Sequence, residues 1–139
     1  MNADYELIDH TADLGIRFVS PTLEGLFEVA AATLSDLLFG ESTIALDQTE
    51  QVSVSAENIE DLLVELLREL LYLWGVGKLA FSEAHIKISG ETSLVAEVRG
   101  ETFDPQRHAV ENEIKAVTYH QLEVKKVGDA WHAQVIFDI

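Results

Sequence analysis

The chain has 139 residues, 47% of them hydrophobic, and contains no cysteine. A single domain around one core suits this length, and neither a disulfide framework nor a thiolate zinc site can be built. Nine basic residues against twenty-five acidic ones leave a formal net charge of −16; such a chain would repel a phosphate backbone, so no direct nucleic-acid contact is expected, and a basic protein partner or a cation suits it better.

The opening MNADYELID lacks a basic n-region and an apolar h-region, so no secretory signal is expected and the cytoplasm is the expected location. YELID (5–9) reads as a short strand. LGIRFVS (14–20) alternates, placing Leu14, Ile16 and Phe18 on one face and Arg17 on the other. Ser20-Pro21-Thr22 punctuates the chain before Leu23, Leu26, Phe27, Ala30, Leu34, Leu37 and Leu38 recur at helical spacing. Residues 22–39 are therefore expected as an amphipathic helix, with Thr22 as N-cap and Gly40 as its stop.

QVSVSAE (51–57) alternates as a strand. Asn58 opens a second helix, with Glu60 and Asp61 in the first turn, where carboxylates favour the helix dipole. Leu62, Leu63, Leu66, Leu67, Leu70, Leu71 and Trp74 give that helix a wide core face, and Gly75 and Gly77 end it. Glu65, Arg68 and Glu69 interrupt this apolar segment, so it is not a membrane span. Residues 1–77 hold two basic and fifteen acidic residues, a net −13, whereas residues 78–139 carry only −3.

From Lys78 the pattern turns to strands. LAFSEAHIKISG and SLVAEVRGETF flank a turn at Gly90-Glu91-Thr92. DPQRHAVENE (104–113) is a polar loop. EIKAVTYHQLEVKK and AWHAQVIFDI are joined by Gly128-Asp129, a pair suited to a two-residue hairpin. The expected fold class is α+β: one domain over residues 1–139, two amphipathic helices packed on a mainly antiparallel sheet. With Gly128 and Asp129 as the loop, Val127 faces Ala130, Lys126 faces Trp131, Val124 faces Ala133 and Leu122 faces Val135. Continued without a break, this register sets Tyr119 opposite Asp138 and Thr118 opposite Ile139, so the chain ends within a strand. Alternation then puts Lys115, Val117 and Tyr119 on the face of Asp138.

Two places concentrate chemistry. DHTADLG (9–15) suits an Asx- or ST-turn between strands, a general-base site around His10, or half of a metal site. The base reading lacks a nucleophile, since there is no cysteine and no G-x-S-x-G serine. The five histidines show no ligand spacing for zinc, and no P-loop or G-x-G-x-x-G is present. The second place is Asp138-Ile139, where a side-chain carboxylate and backbone oxygens offer hard ligands to a cation such as calcium. Asp13, or Asp9, is the natural second contributor if its loop lies beside the last strand; magnesium or manganese would suit the same oxygens. Lys115 either pairs with a carboxylate or projects from that face towards a partner.

DHTADLGI, TLEGLFEVAAATL, DPQRHAVENEIKAVTYHQLEV and the closing VIFDI together resemble the archease family, in matching order across essentially the whole chain. Two departures stand out: Gln121 occupies a position where the family often has glycine, and Val110-Glu111-Asn112 is a loosely matching loop. The resemblance implies a non-enzymatic activator of the GTP-dependent tRNA-splicing RNA ligase, which joins RNA ends bearing a 3′-phosphate or cyclic phosphate to a 5′-hydroxyl. Such an activator promotes guanylylation of the ligase's histidine and restores it for multiple turnovers. The family's metal ligands map onto Asp13, Asp138 and Ile139, with calcium the expected ion, and Lys115 matches a lysine linked to ligase activation. Against this stand a small metal-dependent phosphoester hydrolase using His10 and the same carboxylates, and a general acidic chaperone.

Overall fold

The computed structural model describes residues 5–8 and 13–139. The turn expected from Asp9, His10 and Thr11 lies outside the described residues. The elements follow in the order β1 (Tyr5–Ile8), β2 (Asp13–Ser20), α1 (Leu23–Phe39), β3 (Gln48–Ser55), α2 (Ile59–Gly75), β4 (Leu79–Ser89), β5 (Ser93–Thr102), β6 (Ala116–Val127) and β7 (Ala130–Asp138). They confirm the α+β class, but the strands divide into two antiparallel sheets, one of order β1-β2-β7-β6 and one of order β3-β5-β4. Each helix touches both sheets: α1 packs on β2, β7 and β4, and α2 on β6, β3 and β4. No helix among the described residues is long and apolar enough to cross a membrane.

Both helix starts are set by local chemistry. Thr22 Oγ1 accepts from the Gly25 N–H at 3.0 Å, and Asn58 Oδ1 accepts from the Asp61 N–H at 2.8 Å. Each side chain thereby satisfies an N–H that a helix cannot bond internally. The apolar faces read from the sequence are buried: Leu26, Phe27, Ala30, Leu34 and Leu38 of α1, and Leu62, Leu63, Leu66, Leu67 and Leu70 of α2. They meet Ile16, Phe18, Val135 and Phe137 of one sheet and Phe81, Ala96 and Val98 of the other. An aromatic chain runs through the join, with Phe39 edge-on to Trp74 at 5.0 Å and to Phe81 at 5.8 Å between centroids.

Helix α1 also closes one edge of the smaller sheet. Glu28 Oε2 accepts from the Ile86 N–H at 3.0 Å, and Glu24 Oε2 from the Ile88 N–H at 2.8 Å. One turn and more further along, Ser35 Oγ donates to the Phe81 carbonyl at 2.8 Å. Backbone groups of β4 that no neighbouring strand can reach are thus satisfied by helix side chains, which removes an aggregation-prone edge.

The β6–β7 hairpin agrees with its expected register only near the turn. Val127↔Ala130, Lys126↔Trp131 and Val124↔Ala133 hold, but the register then shifts between Glu123 and Thr118. Beyond the shift Thr118 pairs with Ile136, Val117 with Phe137 and Ala116 with Asp138. Leu122 therefore does not face Val135, Tyr119 does not face Asp138, and Thr118 does not face Ile139. The cause is a bulge over residues 119–122, in which Gln121 takes a φ of +54°. Its carbonyl accepts from Gln134 Nε2 at 3.0 Å. Tyr119 is displaced onto α2, where the Arg68 guanidinium lies 5.1 Å from its ring centroid and Arg68 Nη1 donates to its hydroxyl at 3.2 Å. Strand-period reasoning assumes an unbroken ladder, and a bulge defeats it by inserting residues on one side only.

Candidate functional site

Strands β2 and β7 pair from Ser20↔Trp131 to the end of the sheet, where the register puts Asp13 directly opposite Asp138. Ala116 of β6 lies on the other side of Asp138, so Asp13, Asp138 and Ala116 form one row across three strands. Paired residues of an antiparallel ladder share a face, which puts both carboxylates on the side opposite the core pair Leu14 and Phe137. Asp138 and Ile139 are exposed and Asp13 is half-buried. The two segments that carry the expected ligands are therefore adjacent, although over a hundred positions separate them in the chain.

Lys115 sits beside this row without being part of it. It precedes β6, and its backbone N–H donates to the Asp138 carbonyl at 2.7 Å. Its side chain is exposed and forms no ion pair with a described residue. Val117 pairs with Phe137 in the core, so the expected common face of Lys115, Val117, Tyr119 and Asp138 does not exist.

Two like charges directly opposite on a sheet oppose pairing, and a hard cation between them would offset that cost. The donor chemistry fits such an ion: carboxylate and backbone oxygens are what calcium takes, in sets of six to eight. The fit is partial, because among the described residues no group of three or more His, Cys, Asp or Glu side chains converges. The Asp138 carbonyl is also already engaged by Lys115.

A second cluster was not singled out by the sequence. Glu101, at the end of β5, is buried. Its carboxylate accepts from the Ala45 N–H at 2.6 Å, from both terminal nitrogens of Arg107, and from His108 Nε2 at 3.0 Å. The His108 tautomer follows from its partners: the Asp104 N–H donates to Nδ1 at 2.9 Å, so Nε2 carries the hydrogen. The Arg107 side chain, then the Ala45 N–H and His108, hold the Glu101 carboxyl at about 2, well below its ordinary value. Asp104 is lowered too, first by the Gln106 N–H and then by Arg107, and Arg107 is raised by Glu101 and Asp104.

This cluster pins the loop after β5 onto the rest of the fold. Further along the loop, the Ala109 N–H donates to Ser42 Oγ at 3.0 Å. The Glu111 N–H donates to the Leu38 carbonyl and Asn112 Nδ2 to the Leu37 carbonyl, each at 2.7 Å. Those are carbonyls that the last turn of α1 cannot satisfy itself. The segment read as a polar loop thus caps a helix and delivers the chain to Lys115. The polar run DPQRH was the available signal, but nothing in it specified a buried partner 6 residues away from Arg107 at Glu101.

The archease protein family model matches residues 5–139. The chain is 39% identical to protein archease of Methanosarcina barkeri over 139 residues, covering 97% of this chain and 95% of the relative. It is 37% identical to protein archease of Pyrococcus furiosus over 139 residues, covering 97% and 98%. Among solved structures, the solution structure of Methanobacterium thermoautotrophicum protein 1598 superposes with a TM-score of 0.85 at 29% identity, covering 97% of this chain and 98% of that one.

Proposed function

The chain belongs to the archease family, and from that premise we propose that it is a non-enzymatic cofactor of the GTP-dependent tRNA-splicing RNA ligase. It promotes the ligase's guanylylation and repeated turnover, and it works with a divalent cation, calcium by preference, held at the end of the sheet that carries Asp13 and Asp138. The observation that supports this reading is the Asp13↔Asp138 pair. Ile139 adds backbone oxygen, and water completes the shell. When bound, the ion supplies a fixed positive charge that lets the two strand ends stay together.

The protein's own groups have separate duties in this reading. Asp13 and Asp138 hold the ion, while the backbone bond from Lys115 to Asp138 ties the start of β6 to the same end. That bond leaves the Lys115 ammonium in solvent, within reach of the ligase or its nucleotide. A net charge of −16 favours encounter with a basic RNA-binding enzyme and disfavours binding to the RNA itself.

The test is ligase turnover with and without this protein, with calcium varied. Addition is expected to raise the guanylylated fraction and to convert single into multiple turnover. Asp13→Asn and Asp138→Asn are expected to remove the calcium-dependent part while the circular dichroism spectrum is unchanged. If both variants activate as the parent does, the metal assignment is wrong. Phosphoester turnover in the absence of any ligase would favour the hydrolase reading instead.

A further inference from the structure

The two sheets have four edges, and three of them carry a recognised protection against pairing with another chain. The described β1 is only four residues long. Edge strand β6 is broken by its bulge and carries Lys125 and Lys126. Edge strand β4 is covered by α1, through Glu24, Glu28 and Ser35. The fourth edge, β3, has none of these devices. Its eight residues, QTEQVSVS, contain no proline, lysine or arginine. They pair with β5 from Gln48↔Gly100 to Ser55↔Ser93 without a break. Among the described residues, no hydrogen bond reaches the other side of the strand.

The surroundings of this edge specify what would join it. Residues 41–61 include Glu41, Asp47, Glu50, Glu57, Glu60 and Asp61 and not one lysine or arginine. On the core-side row, Val52 and Val54 are half-buried at the margin of the sheet and touch the core, so they can accept further apolar side chains. On the other row Gln51 and Ser53 are exposed, with Glu97 opposite Gln51 and Arg99 opposite Thr49. An added strand would therefore meet apolar contacts from Val52 and Val54 on one face, Glu50 on that same row, and the acidic segments 41–47 and 57–61 that flank β3 in the chain.

We propose that β3 is a docking edge for an extended, basic segment of a partner protein, which adds to the smaller sheet as a fourth strand with alternating apolar and Lys or Arg side chains. Main-chain hydrogen bonds supply the affinity, and the alternating residues supply the selectivity. A second copy of this chain is the disfavoured occupant, because its β3 would bring the same carboxylates to the same edge. This surface goes beyond the activator reading and does not rest on it: β3 belongs to the other sheet from Asp13 and Asp138.

The probe is an eight-residue synthetic peptide alternating lysine and valine, together with the same peptide N-methylated at every residue, which keeps its charge and removes its backbone donors. With the 139-residue chain, the unmodified peptide is expected to perturb the backbone amides of residues 48–55. Its affinity is expected to fall on the order of tenfold between low salt and about 0.15 M. The N-methylated peptide is expected to bind at least about tenfold more weakly than the unmodified one. The double variant Q51K/S53K, altered only at exposed positions, is expected to weaken the unmodified peptide, while Asp138→Asn leaves it unchanged. Equal binding of the two peptides would overturn the proposal, since charge alone would then explain it. Perturbations centred away from β3, or self-association through β3 that the peptide does not displace, would overturn it as well.

Discussion

Glu101 and Asp138 are both carboxylates at strand ends, and they are treated in opposite ways. Glu101 is buried and accepts hydrogen bonds from a backbone N–H, a guanidinium and an imidazole. Asp138 is exposed and faces another carboxylate across the ladder. The first arrangement favours the charged form and spends it on holding a loop. The second puts two carboxylates opposite each other, an arrangement that the proposed cation would favour. Position in the chain would rank them alike; their partners set them apart.

The largest effect is expected at the buried member of this comparison. Glu101→Ala leaves Arg107, His108 and the Ala45 N–H without their acceptor, and should lower the melting temperature by on the order of 10 °C. The same residue gives the pH dependence. Its carboxyl is held at about 2 in the folded protein, against an ordinary value of 4.5. A depressed carboxyl contributes stability that is fully present above its unfolded value and is lost as pH falls through the folded one. Denaturation midpoints should therefore fall between about pH 4.5 and pH 2, and the profile of Glu101→Gln should be flatter across that window. A parallel profile would mean that Glu101 is not the group responsible.

Gly40 tests the other end of the same loop. It ends α1 at a φ of +58° and a ψ of −127°, and a Cβ there would collide with the Glu111 carboxylate. Gly40→Ala should cost about 1–3 kcal/mol in urea denaturation. Adding Glu111→Gly to Gly40→Ala removes the collision and leaves the backbone term. The double variant is therefore expected to recover part of the loss.

Much of the fold was legible in the sequence, because the helices and the two hairpin turns follow from local signals. Thr22, Asn58, Gly40 and Gly128 lie where the caps and turn residues were expected. The division into two sheets was not legible, since strand alternation says which face is buried and not which strand is the neighbour. The site was half-legible. Residue types marked Asp138 and left Asp13 or Asp9 as its counterpart, and the family resemblance singled out Asp13; their direct opposition depends on β2 pairing with β7, a contact no local pattern encodes. Lys115 was placed on the wrong face because the bulge at 119–122 interrupts the count.

That bulge carries a smaller prediction. Gln121 occupies the left-handed region at a φ of +54°, where a side chain crowds the following carbonyl. Glycine, which the family resemblance gives as frequent here, has no such cost. Gln121→Gly should therefore stabilise the protein by about 1 kcal/mol if the bulge is retained. Because the bulge sets the register that brings Ala116 opposite Asp138, calcium-dependent activation should be unchanged. A loss of activation would mean that the strain itself, or the glutamine side chain, belongs to the functional surface.

The smallest expected change in stability is also the one that divides the two carboxylates most sharply. Asp138→Asn removes one of two facing charges, so without calcium the protein should become slightly more stable, by about 0.2–1 kcal/mol. Calcium at a hundredfold excess over its Kd should stabilise the parent by about 2.7 kcal/mol and leave the variant nearly unmoved. The order of stability thus reverses on adding the ion. Glu101→Gln should show no such reversal, because its destabilisation is independent of any ligand. A melting temperature for the parent that calcium does not raise would remove the reason for the two charges to face each other.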